Sequence, residues 1–452
     1  MNMPAMNIET AGEARLQDSA ARQLLDHYGR VVAGLPGDAA GKIRELRNRA
    51  VRVFEEKGLP SRRVEEWKYT DLRRLMTEAY APATGKAPPT TAKQIESWLG
   101  EAAAIDAVKL VFVNGAFDKK LSAIGDLPDG VALVNLADAL HSPPNWLLET
   151  LSRPVGEDGD IVTLLNTAFM NAGTVLRIAD GVILTKPFHL IHVAVGSEPL
   201  AVSVRTVIQA GRGAEASIIE SSISGDGSAA QFNAVTQIAA GPGSKLRHYK
   251  VDDENRRAQH LASVHVTLEE AADYLAVNFD DGAALARHQT FLAFKGNGGR
   301  GHFYGAQLLA GRQHCDMTLV IDHDAVGCES REHVKAVLED HAQGVFQAKV
   351  IVRPGAQKTD GRQMAQALIL SENAEFDAKP ELEIYADDVK CNHGATSGAL
   401  DEDLMFYLRS RGIPKEEAKL ILVQAFIGEI LDKIELEPLR EALVSKAARW
   451  LE

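Results

Sequence analysis

The sequence predicts a mainly β protein with a solenoid body and helical segments at both ends. Three observations predict it. Glycine- or alanine-rich turns fall at Gly211, Gly241, Ala271, Gly299, Gly327 and Gly355, at steps of 30, 30, 28, 28 and 28 residues. Between them lie short runs of β-type composition, such as 201–208, 262–268 and 349–352. Both ends are instead rich in Ala, Leu, Arg and Glu at helical spacing. A fixed period near 30 residues marks a repeat architecture, in which each coil buries its apolar face against the next. The competing reading of the same short runs is an antiparallel sandwich.

The elements follow in order. The first nine residues, Met1 to Glu9, carry no basic segment and no apolar run, so no signal peptide is expected. Segments 19–25 and 39–57 read as helices. Gly58 and Pro60 end the second, glycine supplying a left-handed stop and proline barring continuation. Residues 61–80 read as a further helical stretch, and 81–91 as a Pro/Ala/Thr linker. From about Ala107 the texture changes. The apolar run 108–113 stops at Asn114-Gly115, a turn dipeptide. Strand-like runs then recur from 187 to 384. After Gly398 the chain turns helical again. Residues 401–411 stop at Gly412, and Pro414 suits the first turn of a helix whose Glu416 and Glu417 sit at its positive end. A last helix spans 438–451. The expected division is a helical domain and linker over 1–106, a β core over 107–398 and a helical domain over 399–452.

Composition narrows the function classes. The 452 residues are 45% hydrophobic and 25% charged, with a net charge of −13. That balance argues against nucleic acid held on a global basic surface. No apolar stretch is long enough to span a bilayer. Cys315, Cys328 and Cys391 fit neither a disulfide framework nor a paired-cysteine zinc site, and so few thiols suit a reducing cytoplasm. No GxxxxGK[ST] occurs, so any ATP that drives the protein must bind a partner.

Four segments carry ligand-type or aromatic residues. Gly296-Asn297-Gly298-Gly299-Arg300-Gly301 matches GxGxxG, but His302-Phe303-Tyr304-Gly305 does not look like the helix a dinucleotide site needs, so a turn between coils is expected. His314-Cys315-Asp316, His323-Asp324 and Cys328 cluster in sequence. Neighbouring strand residues point to opposite faces, which favours structural histidines over a metal site. In Cys391-Asn392-His393 the thiol and imidazole share one side of an extended strand. They suit part of the shell of iron or zinc, a Cys–His nucleophile dyad, or inert packing. Two ligands cannot close a four-ligand site. Asp387 and Asp388 upstream disfavour a low-pKa thiolate. Trp67-Lys68-Tyr69-Thr70 reads as a packing anchor.

The segment from Pro380-Glu381-Leu382-Glu383-Ile384-Tyr385 through Asp387-Asp388-Val389-Lys390-Cys391-Asn392-His393-Gly394-Ala395-Thr396 closely resembles the SufB/SufD family of iron–sulfur assembly proteins. The resemblance continues through Phe406-Tyr407-Leu408-Arg409-Ser410-Arg411-Gly412. It is supported by Ala356-Gln357-Lys358-Thr359-Asp360, Asp322-His323 and Arg63-Val64-Glu65-Glu66-Trp67-Lys68-Tyr69-Thr70. Cys-x-His-Gly-Ala-Thr is the SufD-like form of the motif. The stretch 362–367 departs from the family pattern, and Cys315 has no counterpart role.

The resemblance implies a right-handed parallel β-helix flanked by helical domains. It implies a non-enzymatic, cytoplasmic scaffold subunit for iron–sulfur cluster assembly. The chain would pair with a SufB-like subunit through the β-helices and bind a SufC-like ABC ATPase through its C-terminal helices. His393, then Cys391, are the implied ligands of a nascent, transient cluster at the subunit interface. Asp401, Phe406, Tyr407, Arg409 and Arg411 are the implied partner-contact residues. ATP-driven motion passed through the C-terminal helices would make Cys391 and His393 available. A homodimer in the absence of the partner, and a flavin in the complex, are left open. The enzymatic alternative is a β-helical hydrolase or lyase using Cys391 and His393.

Overall fold

The computed structural model describes residues 19–37, 41–83, 88–153, 159–225 and 227–451. Its body is a parallel β-solenoid of two sheets, one of ten strands and one of nine, between which the chain alternates from Phe188 onwards. Each strand pairs in parallel with the strand one coil away. Leu285 lies beside His314 and His314 beside Gln343 in one sheet, while Arg300 lies beside Glu329 and Glu329 beside Asp360 in the other. Parallel pairing excludes the antiparallel sandwich. Antiparallel pairs among the named strands occur only at the N-terminal end. There Asn114 and Gly115, both at positive φ, fold Val108–Val113 onto Ala116–Phe117, and Val131–Asn135 pairs with Ala172–Ile178.

The expected turns all lie at one corner of the solenoid, where the nine-stranded sheet hands the chain to the ten-stranded one. Each corner holds one residue in the left-handed region: Gly181, Gly213, Gly243, Ala271, Gly298, Gly327 and Lys358. The N–H of each donates to a carbonyl in the next corner, on Arg212, Pro242, Glu270, Asn297, Val326, Gln357 and Asp388 respectively. The period is thus a backbone requirement. One left-handed residue per coil turns its amide along the solenoid axis, and glycine fills that position most readily.

Phe188, Phe232, Phe294 and Phe346 fill the interior with Ile, Val and Leu. Both sheets are covered outside along most of their length. On the nine-stranded sheet, Val207, Val235 and Leu261 lie under helices Gly41–Lys57 and Ile161–Phe169. On the ten-stranded sheet, Tyr249, Val277, Leu308 and Val337 lie under Lys415–Leu431 and Glu437–Trp450. Cover on both faces makes strands such as Phe188–Ala194 buried at every position. The cover stops at the C-terminal end, where the last strands, Glu375–Ile384 and Lys390–Gly398, hold no fully buried residue.

The helices expected near 39–57, 401–411, 418–431 and 438–451 form as Gly41–Lys57, Glu402–Ser410, Lys415–Leu431 and Glu437–Trp450; Ala39 and Ala40 lie outside the described residues, as do Met1 to Glu9. The expectation of a helical stretch over 61–80 is corrected. Only Glu65–Trp67 and Leu72–Leu75 turn helically. Side-chain bonds to strands more than 200 residues away fix this arm instead. Three further helices, Leu136–His141, Asn145–Ser152 and Ile161–Phe169, enter between the first β elements and join the N-terminal helical layer.

Candidate functional site

Lys390–Gly398 is the last strand of the ten-stranded sheet. One edge pairs with Asp360–Ile369, which places Cys391 beside Gly361 and His393 beside Gln363. Gly361 and Gln363 are inward, buried positions, so Cys391 and His393 extend the same inward face. No coil follows to cover them. Cys391 is half-buried against the end of the core, and His393 is exposed. Residues two apart on a strand are separated by about 7 Å along the chain. A thiol and an imidazole so placed can flank one ion but do not stand at the separation of a nucleophile hydrogen-bonded to its base. Burial pushes the Cys391 thiol above its usual range, and the Asp360 and Glu332 carboxylates add to the rise. The nearby negative charge thus comes from those two groups rather than from Asp387 and Asp388; Asp388 is paired with Lys358.

Behind His393 runs a polar column that sequence reading missed. Following the register inward, His393 lies beside Gln363, and Gln363 beside Glu332. Both are buried, and neither Glu332 oxygen nor either Gln363 amide atom has a hydrogen-bond partner. Burial raises the Glu332 carboxyl to about 8, so it is mostly protonated at neutral pH. Unsatisfied buried polar groups are costly and cluster where a site must stay adaptable. The signal was available: stepping back from His393 by one and two repeat periods lands on this column.

The other candidates resolve structurally. The Gly296–Gly301 segment is a solenoid corner, and the strand Arg300–Leu309 follows it in place of a helix. His314 and Asp316 point outward and Cys315 inward. His314 lies 2.9 Å from the Thr70 hydroxyl, and that hydroxyl donates to Asp316. Asp316 also pairs with Arg287, whose guanidinium lies 3.9 Å from the centre of the Trp67 ring and donates to the Glu66 carbonyl at 2.6 Å. The Trp67–Thr70 motif is therefore a packing anchor, latched to the nine-stranded sheet by a fully buried ion pair. His323 stacks on Phe294 with ring centres 4.5 Å apart and bonds Ser330; burial lowers it to about 4.

Comparison with known proteins decides the family. The family model described as "SUF system FeS cluster assembly, SufBD core domain" matches residues 192–426, and the one described as "SufBD protein N-terminal region" matches 18–190. The chain belongs to the SufBD family. It is 32% identical over 396 residues to an iron–sulfur cluster assembly SufBD family protein of Synechocystis, covering 85% of this chain and 86% of that one. It is 29% identical over 398 residues to the iron–sulfur cluster assembly protein SufD of Escherichia coli, covering 87% and 90%. It is 27% identical over 297 residues to SufD of Bacillus subtilis, covering 64% and 66%. The SufBD core match takes in the whole Cys391–His393 strand and the helix after it.

That helix, Glu402–Ser410, buries none of its residues. The Asp401 side chain caps it, accepting from the backbone N–H of Asp403 and Leu404 at 2.9 Å. Phe406 is 73% exposed, Leu404 and Tyr407 about half, and the Arg411 guanidinium lies 4.5 Å from the Tyr407 ring centre. Arg409 is exposed. Asp401 thus holds the helix together, while the other four residues stand on open surface. Among the described residues no helix is long and apolar enough to cross a membrane.

Proposed function

We propose that this SufBD family protein is a non-catalytic scaffold subunit that supplies half of a shared site for a nascent iron–sulfur cluster. The observation that carries the reading is the position of Cys391 and His393. They sit on one face of the terminal strand, at the uncovered end of the solenoid. A cluster iron takes four ligands, and this end offers two. A second, SufB-like chain stacked on the open end would cover the unpaired strand edge and supply the rest. Edge strands of this kind are natural pairing surfaces.

The exposed helix Glu402–Ser410 supports docking of an ABC ATPase subunit through Phe406, Tyr407, Arg409 and Arg411. ATP-driven movement there reaches the site by a short route, because only residues 399–401 join this helix to the Cys391–His393 strand. Glu332 and Gln363, behind His393, offer buried polar atoms to the forming cluster or its protons. The test is anaerobic cluster reconstitution in the complex of this chain with its SufB-like and ATPase partners. His393→Ala should abolish cluster formation and leave complex assembly intact. Wild-type yield from that variant refutes the ligand role.

A further inference from the structure

Deep inside the solenoid, away from Cys391 and His393, a second group of ligand-type side chains converges. Asp252 and Asp280 are register neighbours on the ten-stranded sheet, both pointing inward and both about 1% exposed. His260 and His288 face them from the nine-stranded sheet, with ring centres 5.2 Å apart and almost no exposure. Glu254 meets His260, and Cys315 lies one coil further on. One ligand atom each from Asp252, His260 and His288 falls within a mutual 4.8 Å, and so does a second set from Asp280, His288 and Cys315.

The distances separate a metal site from a simple ion-pair network. An Asp252 oxygen lies 3.6 Å from His260 Nδ1, and the other lies 3.7 Å from His288 Nε2. These separations are too long for hydrogen bonds. They are near the spacing of two ligands on one tetrahedral ion, about 3.4 Å for bonds of about 2.1 Å. Both Asp252 oxygens and Asp280 Oδ2 lack a hydrogen-bond partner despite full burial. The charges also call for a cation. Lys250 and His248 are already engaged by Glu220, at 3.4 and 3.0 Å. That leaves three buried carboxylates, Asp252, Glu254 and Asp280, facing two imidazoles. Each imidazole has a carboxylate beside it, Glu254 for His260 and Asp280 for His288, the arrangement that orients a metal-binding histidine.

We propose that Asp252, His260 and His288 bind a divalent transition metal of the zinc or ferrous class, with Asp280 and Cys315 completing its surround. Two imidazoles and a carboxylate suit such an ion. The site is built wholly from this chain and is independent of the proposed half-site.

The test uses the purified full-length chain loaded with Zn²⁺ or Co²⁺ and dialysed. One equivalent should remain by elemental analysis in the wild type and in Cys391→Ser/His393→Ala. His260→Gln/His288→Gln should bind at least tenfold more weakly. Equal retention in that histidine variant overturns the proposal. Should the variant fail to fold, crystals of the wild-type chain grown with Co²⁺ decide. An anomalous peak between Asp252, His260 and His288 supports the site. A metal found only at the surface or at Cys391 and His393 overturns it.

Discussion

Phe406→Ala should weaken docking of the ABC ATPase subunit without touching the fold. The helix Glu402–Ser410 buries no residue in this chain, so its apolar side chains contribute little to folding stability. Fully burying a phenylalanine side chain is worth about 1.5–3 kcal/mol. Phe406 has 73% of its surface left to lose. Its truncation should therefore cost about 1–2 kcal/mol of binding, or about five- to thirtyfold in Kd. Tyr407→Ala and Leu404→Ala, starting about half exposed, should each cost somewhat less. Titration calorimetry between the purified chain and the ATPase subunit reads the effect, with thermal unfolding of the free chain as control. The reasoning requires a shifted Kd and an unchanged Tm. A Kd within twofold of wild type for Phe406→Ala would refute docking on this helix. A lowered Tm would show that the side chain supports the fold.

Two further predictions concern buried charge. Arg287→Met leaves Asp316 buried without its cation and should destabilise the chain by about 3–5 kcal/mol in denaturant unfolding. Arg287→Met/Asp316→Leu should recover much of that, and a double variant no more stable than the single one contradicts the latch. Glu332 has its pKa raised to about 8 by burial, against about 4.3 for the unfolded chain. The folded state keeps a proton that the unfolded state has lost between those values. Stability should therefore fall as pH rises through that window, by up to about 1.4 kcal/mol per pH unit. Glu332→Gln should flatten this slope in unfolding measured from pH 5 to 8, and an unaltered slope argues against the assignment.

Much of the fold was legible because the solenoid repeats a backbone demand. Ala271 and Gly327, picked out as turn anchors, are themselves left-handed corner residues, and the other four anchors lie within three positions of one. The helix ends at Gly58 and Gly412 were readable for the same reason, both at positive φ. The arm 61–80 was not. Its shape depends on Arg287, His314 and Asp316, whose approach no local pattern reports. At the candidate site, alternation along one strand placed Cys391 and His393 together. Gln363 and Glu332 needed the register between coils, and so did the interior group around Asp252. A polar residue alternating in a strand reads as solvent-facing until pairing shows that its face is the inside.

The central claim is that a second polypeptide completes the shell around His393. The most direct measurement assembles the complex from ¹⁵N-histidine-labelled copies of this chain and unlabelled partners, reconstitutes the cluster anaerobically, and records pulsed EPR of the reduced state. The account predicts a ¹⁵N coupling that vanishes in His393→Ala, and no comparable cluster on either chain alone. A full-yield cluster with no ¹⁵N coupling, or one formed on the partner by itself, would contradict it.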